Sequence, residues 1–478
     1  MARELTRRAV RSSLPGGRVS ACASPGAWEN LASAPMPPPA RPDSPPSPEV
    51  LRALAALWSR AVRPGETAEL SFRCASTLTV DFDPASGLLQ RSAGGEGFAS
   101  VRLWNPEGGF EAQGPFDGVG DLEALLARAR RSPAPSGPPS PGAFGPATLP
   151  EGVDGALDAE RARELATSWA RALEPLGTCI QALLVQQTAG WSGVFHSDGS
   201  WACDPVMREQ ALVRCETPNG ALVDGVASAR LGGGLEPSAA TERLRAAVEA
   251  LAGAGTPLDA GLPLVLRPPV AGPLVAGLAW ALRGDVAASV PGLARAVGKK
   301  LFPGVLTVRD EPTHPLGTVL RAFDDEGQRT EPVTAVRAGV LLGFLHSRRT
   351  AARLGVASNG RGLRVGREAP SPGALNLHVE PGTAALPPDR TELSARVETF
   401  TTMRQPGVVS LLAWGWEVRD GRRHRRVGPL ELELPVLATF RQLVAVGSDL
   451  TFLPGSDGCG TPTLVFAPPS WLGAAGRG

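Results

Sequence analysis

The stretch that decides the fold lies between Leu301 and Gly382, and it holds three short segments in a fixed order. The segments are Phe323-Asp324-Asp325-Glu326-Gly327, Gly343-Phe344-Leu345-His346-Ser347-Arg348-Arg349-Thr350-Ala351 and Asn376-Leu377-His378-Val379-Glu380-Pro381-Gly382. Short apolar runs bounded by turn formers, at 305–308 and 339–345, predict strands on either side of the first segment. The order of the three segments is more specific than any one of them.

The first segment, residues 323–327, is an acid turn with three adjacent carboxylates. Adjacent carboxylates repel one another, so a fold places them at solvent, against cations or at a site. Arg348, Arg349 and Arg353 follow on a predicted short helix, where Arg349 and Arg353 share one face because they are four residues apart. These arginines are the predicted partners of the acids. Taken alone, the turn is also compatible with a solvated hairpin.

The order of these segments resembles the C-terminal half of the TldD/PmbA family, the modulator-of-gyrase proteins, which are related to peptidases. Trp414–Val418 and Leu453–Gly460 are similar to the closing segments of that family, and the resemblance extends from Val50 to Phe466. It implies an α+β fold with a two-part TldD/PmbA-like architecture, in which an N-terminal α/β unit precedes a β-rich C-terminal domain with one buried helix.

The motif that carries the chemistry of the family is replaced in this chain. Catalytic members have His-Glu-x-x-x-His on a helix, where the histidines bind zinc and the glutamate polarises a zinc-bound water. The matching stretch runs from Gly272 to Asp285 and puts Val275, Ala276 and Trp280 at the motif positions. Because these side chains lack the required donor and base groups, the chain resembles the non-catalytic TldE/PmbA-type branch.

The other metal donors form a weak candidate set. His378 and Glu380 are two residues apart on a predicted strand and face the same side, while Cys459 lies near the position of the family's C-terminal cysteine ligand. A zinc site needs three or four converging donors, and this spacing does not demand one. We therefore expect no cofactor in this chain, with zinc only in a catalytic partner subunit.

The net charge gives no argument for a nucleic-acid or membrane partner, since the 48 Lys and Arg residues are nearly balanced by 47 Asp and Glu residues. The basic residues 1–11 are not followed by the apolar core of a secretory signal. The apolar run 268–282 is too short to cross a membrane and predicts a buried helix opening near Pro273. Six cysteines without a Cys-x-x-Cys pair favour a reduced, cytoplasmic protein.

Changes in composition predict the organisation of the chain. The predicted parts are a disordered Pro-rich tail at 1–46, an N-terminal α+β part at 47–131, a Pro/Gly/Ser-rich linker or loop at 132–152, a central α+β part at 153–260, a β-rich domain at 261–470 and a tail at 471–478. Within the first two α+β parts, we predict helices at 47–62, 122–130, 158–173 and 242–251, and strands at 68–74, 78–82, 97–103, 179–186, 193–200 and 211–216. Translation from Met1 or from Met36 is compatible with this division.

Three further patterns carry no function. Gly292–Lys300 has one residue too many for a phosphate-binding loop, and Gly360–Gly366 misses the dinucleotide-binding spacing by one residue. The run Arg422–Arg426 is typical of a solvated basic turn.

Three functions remain open from the sequence. The first is a non-catalytic subunit that pairs with a zinc-bearing TldD-type paralogue, or with a second copy of itself, around a chamber in which an unfolded peptide is cleaved. Residues 324–326 with Arg348 and Arg349 are then the candidates for the chamber wall. The second is an active metallopeptidase with unorthodox ligands. The third is a stand-alone peptide-binding scaffold.

Overall fold

A computed structural model describes residues 48–83, 88–116, 119–134, 157–217, 220, 222–230, 235, 237–251, 255–364, 369–396, 401–453 and 458–471. The predicted N-terminal tail, residues 135–152 of the predicted linker and the predicted C-terminal tail beyond Trp471 lie outside the described residues. Within these ranges the chain is an α+β protein with an N-terminal unit and a β-rich C-terminal unit.

The elements are numbered in chain order. The helices are α1 (Pro48–Ala61), α2 (Val119–Ala129), α3 (Ala159–Leu173), α4 (Pro237–Leu251), α5 (Pro268–Ala281), α6 (Gly284–Ser289), α7 (Arg348–Leu354) and α8 (Val436–Phe440). The strands of the N-terminal unit are β1 (Thr67–Asp83), β2 (Leu88–Asn105), β3 (Gly108–Pro115), β4 (Cys179–His196), β5 (Trp201–Glu216) and β6 (Leu222–Ala229). The later strands are β7 (Leu264–Leu266), β8 (Val308–Asp310), β9 (Val333–Arg337), β10 (Val340–Leu341), β11 (Gly362–Leu363), β12 (Ser371–Pro372), β13 (Leu377–Val379), β14 (Arg390–Arg396), β15 (Thr402–Gln405), β16 (Val408–Arg419), β17 (Arg422–Pro435), β18 (Leu443–Val446), β19 (Thr451–Phe452), β20 (Gly460–Thr461) and β21 (Leu464–Phe466).

The N-terminal unit is built on one antiparallel sheet in the order β3-β2-β1-β4-β5-β6. The segments 47–131 and 153–260 both contribute to it, because β1 pairs directly with β4. The predicted break in β1 between residues 74 and 78 is wrong, since β1 is paired along its length with β2 and β4. The predicted break in β4 between residues 186 and 193 is wrong for the same reason. The edge strands β3 and β6 are absent from the sequence prediction.

The two faces of this sheet differ in polarity. On β1 the alternate residues Leu70, Phe72, Leu78, Val80 and Phe82 are buried in the cores that include α1 and α2 at one end and α3 and α4 at the other. The opposite face begins with the row formed by Glu69, its β2 partner Arg102 and its β4 partner His196. A strand that alternates in this way buries one face in an apolar core and leaves the other for polar contacts.

The C-terminal unit contains two larger sheets around one core. One sheet has the order β10-β9-β8-β13-β20-β19, and the other has the order β15-β16-β14-β7-β21-β18 with β17 paired to β16. Of the predicted strand at 305–308 only Val308 lies in a strand, at the start of β8, and of the predicted strand at 339–345 only Val340 and Leu341 do, as β10. At the start of β10, Gly339 has a φ of 79°, and a Cβ there would lie 2.1 Å from the carbonyl oxygen of Phe302, so the chain requires glycine at this turn.

The buried helix α5 lies in this core, but its predicted start near Pro273 is wrong. It begins at Pro268, where proline is accepted because the first-turn N–H groups have no helical partner. Pro273 is then inside the helix, and its missing N–H leaves the carbonyl of Pro269 without a helical donor. The guanidinium of Arg396 donates to that carbonyl, so β14 supplies the hydrogen bond that the helix lacks.

Two further findings concern compartment. No helix among the described residues combines the length and apolar character that a membrane crossing requires. Cys203, Cys215 and Cys459 are buried free thiols.

Candidate functional site

Helix α5 holds the positions at which a zinc motif would stand. Val275 is fully buried in the core, and Ala276 and Trp280 are half-buried. The helix packs closely against α8, because a Cβ on Gly277 would lie 2.7 Å from Val436. Zinc is bound by imidazole, thiolate or carboxylate groups, and these three side chains offer none of them. The residues present on α5 therefore do not fit a zinc ion.

The acid turn is buried, and Asp324 organises it. The Asp324 side chain is almost inaccessible to solvent. Its Oδ1 accepts hydrogen bonds from the backbone N–H groups of Glu326 and Gln328 at 3.0 and 2.8 Å, and its Oδ2 accepts one from the N–H of Gly362 at 2.8 Å. One carboxylate thus satisfies three backbone donors and fixes the turn to β11.

The next two acids join the turn to its neighbours. Asp325 accepts from the guanidinium of Arg321 and from the backbone N–H of Arg364, both at 2.7 Å. Glu326 accepts from the backbone N–H of Arg348 at 2.7 Å. This N–H belongs to the first turn of α7, where backbone donors have no helical partner. The predicted hairpin turn at solvent is therefore wrong, because each acid satisfies a donor within the fold.

These surroundings shift the pKa values of the acids in opposite directions. Burial and then the neighbouring Glu326 raise the pKa of Asp324 to about 7. Burial also raises the pKa of Glu326, although the backbone N–H of Arg348 opposes the shift. Burial opposes ionisation of Asp325 too, but the charge of Arg321 outweighs it and lowers the pKa of Asp325. A cation within hydrogen-bond distance decides which acid stays charged.

The acid turn is also attached to the N-terminal sheet. Asp204 on β5 is buried and accepts from the backbone N–H groups of Ala322 and Phe323 at 2.9 and 2.8 Å. The same carboxylate lies 3.8 Å from the guanidinium of Arg321. Residues that are 119 positions apart in sequence therefore form one contact between the two units.

A second charged contact lies beside the first. Glu69 on β1 is buried, and its carboxylate is 2.9 Å from Arg364, 3.7 Å from Arg102 and 3.6 Å from His196. Burial opposes its ionisation, but His196, Arg364 and Arg102 together lower the pKa of Glu69 to about 2. We name this region the charged joint and define it as the residues of the two contacts, listed here: Glu69, Asp204, Arg321, Asp324, Asp325, Glu326 and Arg364.

The arginines of α7 divide into two groups. The charge of Arg348 lies close enough to Glu326 to favour its ionised form, which agrees with the predicted pairing. Arg349 and Arg353 are exposed instead, because the face of α7 that they share points away from the acid turn. Asp325 has Arg321 and the backbone of Arg364 as its partners, and the assignment of residues 324–326, Arg348 and Arg349 to a chamber wall stays a prediction.

The weak metal candidates lie on different sides of one sheet. His378 on β13 pairs with Arg309 on β8 and with Gly460 on β20, and paired residues share a face. Cys459 precedes Gly460 and is buried in the opposite, apolar core. Glu380 lies 3.7 Å from Arg309 on the side of His378. The sheet therefore separates Cys459 from the other two candidates.

Sequence reasoning missed several charged residues that the fold brings together. Asp204 lies within the apolar stretch Trp201–Val206, and Glu69 is the second residue of the predicted strand at 68–74. An acid in such a position is itself a signal of a buried partner. Arg321 and Arg364 lie between the described helices and strands, so no helix or strand periodicity marks them.

Comparison with known families agrees with the C-terminal unit. Residues 260–469 match the family described as PmbA/TldA metallopeptidase C-terminal domain. This part of the chain belongs to the PmbA/TldD family. The PmbA/TldD domain therefore contains α5, the acid turn and both C-terminal sheets, whereas Glu69 and Asp204 come from the unit that precedes it.

Two curated relatives match over part of their length. A protein of Methanothermobacter thermautotrophicus named "Metalloprotease" is 27% identical over 172 residues, which is 34% of this chain and 37% of the relative. A protein of Archaeoglobus fulgidus with the same name is 44% identical over 70 residues, 14% of this chain and 16% of the relative. The matched stretches thus span about a third and a sixth of these relatives.

Solved structures share the fold over most of the chain. TldE from Thermococcus kodakarensis is 16% identical with a TM-score of 0.71, and the match covers 87% of this chain and 98% of that one. A proposed modulator of a DNA gyrase from Thermotoga maritima is 17% identical with a TM-score of 0.72, covering 86% and 97%. At these identities the likeness concerns the fold, including the N-terminal unit.

Proposed function

We propose that this chain is a non-catalytic subunit of a TldD/TldE-like metalloprotease that acts on unfolded peptides. The observation that carries the proposal is the chemistry of α5. Val275 is fully buried, and together with Ala276 and Trp280 it leaves the motif positions without a zinc ligand or a general base. Zinc and the attacking water would then belong to a TldD-type partner.

The relatives support the class of function. Two of them are named metalloproteases, and one structure with the same fold is a TldE protein. The partner that we propose is a zinc-bearing TldD-type paralogue, with a homodimer as the second possibility. The cytoplasm is the compartment in which such a complex would meet unfolded peptides.

The sheets supply a means of holding an extended peptide. A sheet edge binds such a chain by main-chain hydrogen bonds, with little dependence on its sequence. The edge strands β15 and β18 belong to the same sheet as β7, which directly precedes α5. The charged joint would hold the loops of the chamber in place, and the exposed Arg349 would face the partner or the peptide.

Two other functions would need different chemistry. An active metallopeptidase would require ligands outside α5, and Cys459 lies on the other side of a sheet from His378 and Glu380. A stand-alone scaffold would keep the fold but would ignore the paralogue. These alternatives differ from the proposal in peptide cleavage by the chain alone and in assembly.

The test combines this chain with the zinc-bearing paralogue from the same genome. Size-exclusion chromatography with light scattering is run on each protein and on the mixture, and cleavage of an unfolded casein is measured for all three. We expect a mixed complex that cleaves, no cleavage by this chain alone, and loss of cleavage when the glutamate of the paralogue's His-Glu-x-x-x-His is replaced by glutamine.

The controls separate the alternatives. Cleavage by this chain alone, abolished by a metal chelator, would overturn the proposal in favour of an active metallopeptidase. A monomeric chain that neither binds the paralogue nor changes its activity would favour the scaffold. A homodimer that binds casein without cleaving it would replace the proposed heterodimer.

A further inference from the structure

The face of the β8-β13-β20 sheet opposite the apolar core carries a buried histidine. His378 is buried, and its ring lies against Phe452, 5.7 Å between centroids. Its Nδ1 lies 3.0 Å from the carbonyl oxygen of Asn376. A carbonyl only accepts hydrogen bonds, so Nδ1 is the donor, and in the neutral tautomer with this proton Nε2 has a free lone pair. This is the arrangement in which a histidine binds a metal ion.

The turn after β8 brings two more donors to the same place. Residues 311–314 form a turn in which the N–H of His314 donates to the carbonyl of Glu311 at 3.1 Å. The turn folds over β13, so that the rings of His314 and His378 lie 4.8 Å apart. One donor atom from each of Glu311, His314 and His378 lies within 4.8 Å of the other two. Sequence reasoning missed this group because 64 residues separate His314 from His378.

The backbone around these donors is fixed by side chains. Asn376 is fully buried, and its amide donates to the carbonyls of Glu311 and Val319 at 2.9 and 2.8 Å. Arg230 from the N-terminal unit donates to the carbonyl of His314 at 2.6 Å. Such contacts orient metal ligands without touching the ion. They also make the position of His314 depend on the docking of the two units.

We propose that Glu311, His314 and His378 bind one divalent transition-metal ion of the zinc type. Two imidazoles and one carboxylate suit zinc, whereas magnesium and calcium require several oxygen ligands. Arg309 pairs with Oε1 of Glu311 at 2.7 Å and reduces the negative charge available to a cation. This pairing disfavours the hard cations further and leaves the second carboxylate oxygen as the donor.

The geometry also sets a limit on affinity. Bonds of about 2.1 Å in a tetrahedral site put donor atoms about 3.4 Å apart, so donors that lie within 4.8 Å of one another must approach by up to about 1.4 Å. The N–H of Leu316 donates to Nδ1 of His314 at 3.1 Å, and a metal ion must displace this bond or the proton on Nε2. Binding is therefore weaker than in a site whose three ligands are all preset. The site is independent of the proposed function, since it lies outside α5.

The test measures zinc retained by the full chain, purified without a polyhistidine tag, after dialysis against a small excess of zinc. We expect one equivalent of zinc, no retention of magnesium, and visible absorption bands when cobalt is substituted. His378→Ala and Glu311→Gln should each lower the affinity by about tenfold or more. Glu311 is half-exposed, so Glu311→Gln keeps the test valid if His378→Ala fails to fold.

Two matched variants serve as controls. His424 is exposed near the start of β17, so His424→Ala should leave zinc binding unchanged. Cys459→Ala should also leave it unchanged, because Cys459 lies on the opposite face of the sheet. A chain that retains no zinc, or one whose zinc is lost with Cys459→Ala and kept in Glu311→Gln, would overturn the proposal. Peptide cleavage is not a readout here, so failure of this proposal leaves the subunit proposal standing.

Discussion

Helix α5 and the charged joint show two opposite uses of buried positions. Val275 in α5 is surrounded by aliphatic side chains, and the three motif positions of the helix lack the polar groups that catalysis would need. The joint buries several charges, and each acid there accepts a hydrogen bond from a backbone N–H or a guanidinium. Buried charges therefore do not by themselves mark an active site, because charges paired in this way serve to hold two units together.

The largest expected effect comes from making α5 resemble a catalytic helix. The triple variant Val275→His, Ala276→Glu and Trp280→His should lower the free energy of unfolding by about 3 kcal/mol or more, through lost packing volume and a buried polar ring. It should also gain one zinc equivalent relative to the parent chain. Urea unfolding and metal analysis measure the two results.

The single variant Val275→Ile is the control for the helix, since it keeps an apolar side chain at that position. A triple variant that folds stably but binds no more zinc than the parent chain would show that the motif is placed at the wrong residues of α5. If the triple variant fails to fold, the same two measurements are made on the single variant Trp280→His, because Trp280 is only half-buried.

A smaller loss is expected when one carboxylate is removed from the joint. Asp324→Ala should cost about 3 kcal/mol, because it leaves three buried N–H groups without an acceptor. Asp324→Asn keeps one oxygen and should cost less. Equal stability of the alanine variant and the parent in urea unfolding would mean that water replaces the carboxylate and that the joint does not depend on it.

The pKa shifts predict two opposite dependences of stability on pH. The pKa of Asp324 is raised to about 7 in the folded chain from 3.8, so the folded state holds the extra proton and stability falls as pH rises between these values. The pKa of Glu69 is lowered to about 2 from 4.5, so its contribution is lost as pH falls through that range. Each proton changes the free energy of unfolding by about 1.4 kcal/mol per pH unit.

Two variants separate these contributions. Asp324→Asn should remove the fall in the free energy of unfolding between pH 4 and 7. Glu69→Gln should remove the loss of stability below pH 4.5. Unfolding curves recorded across the pH range measure both effects. A fall between pH 4 and 7 that survives in Asp324→Asn would assign it to another group.

The smallest effect on stability is expected at Arg349. Its side chain is exposed on α7, so Arg349→Glu should change the free energy of unfolding by less than about 1 kcal/mol. It should nevertheless weaken assembly with the paralogue or capture of casein, measured by light scattering and co-sedimentation. Arg353→Glu on the same helix face is the matched control. No change in either measurement would remove Arg349 from the proposed chamber wall.

The sequence by itself determined the class of the protein. The order of the acid turn and the two segments after it identified the PmbA/TldD domain, and the apolar run at 268–282 identified α5. Residue identity alone decided that Val275, Ala276 and Trp280 cannot bind zinc, because the absence of donor atoms does not depend on the fold. The predicted helix at 158–173 is observed as α3, for which the structure shows Asp158 as the N-cap.

Only the tertiary structure decided where charges meet. Asp204 reaches residues 322–323, Glu69 reaches Arg364 and Glu311 approaches His378 through contacts between segments that are distant in sequence. Local periodicity cannot encode such contacts, since it reports which face of a strand is buried but not which partner covers it. The sequence prediction broke the long strands β1 and β4 for the same reason, because their polar middle residues stay extended only while both neighbouring strands supply hydrogen bonds.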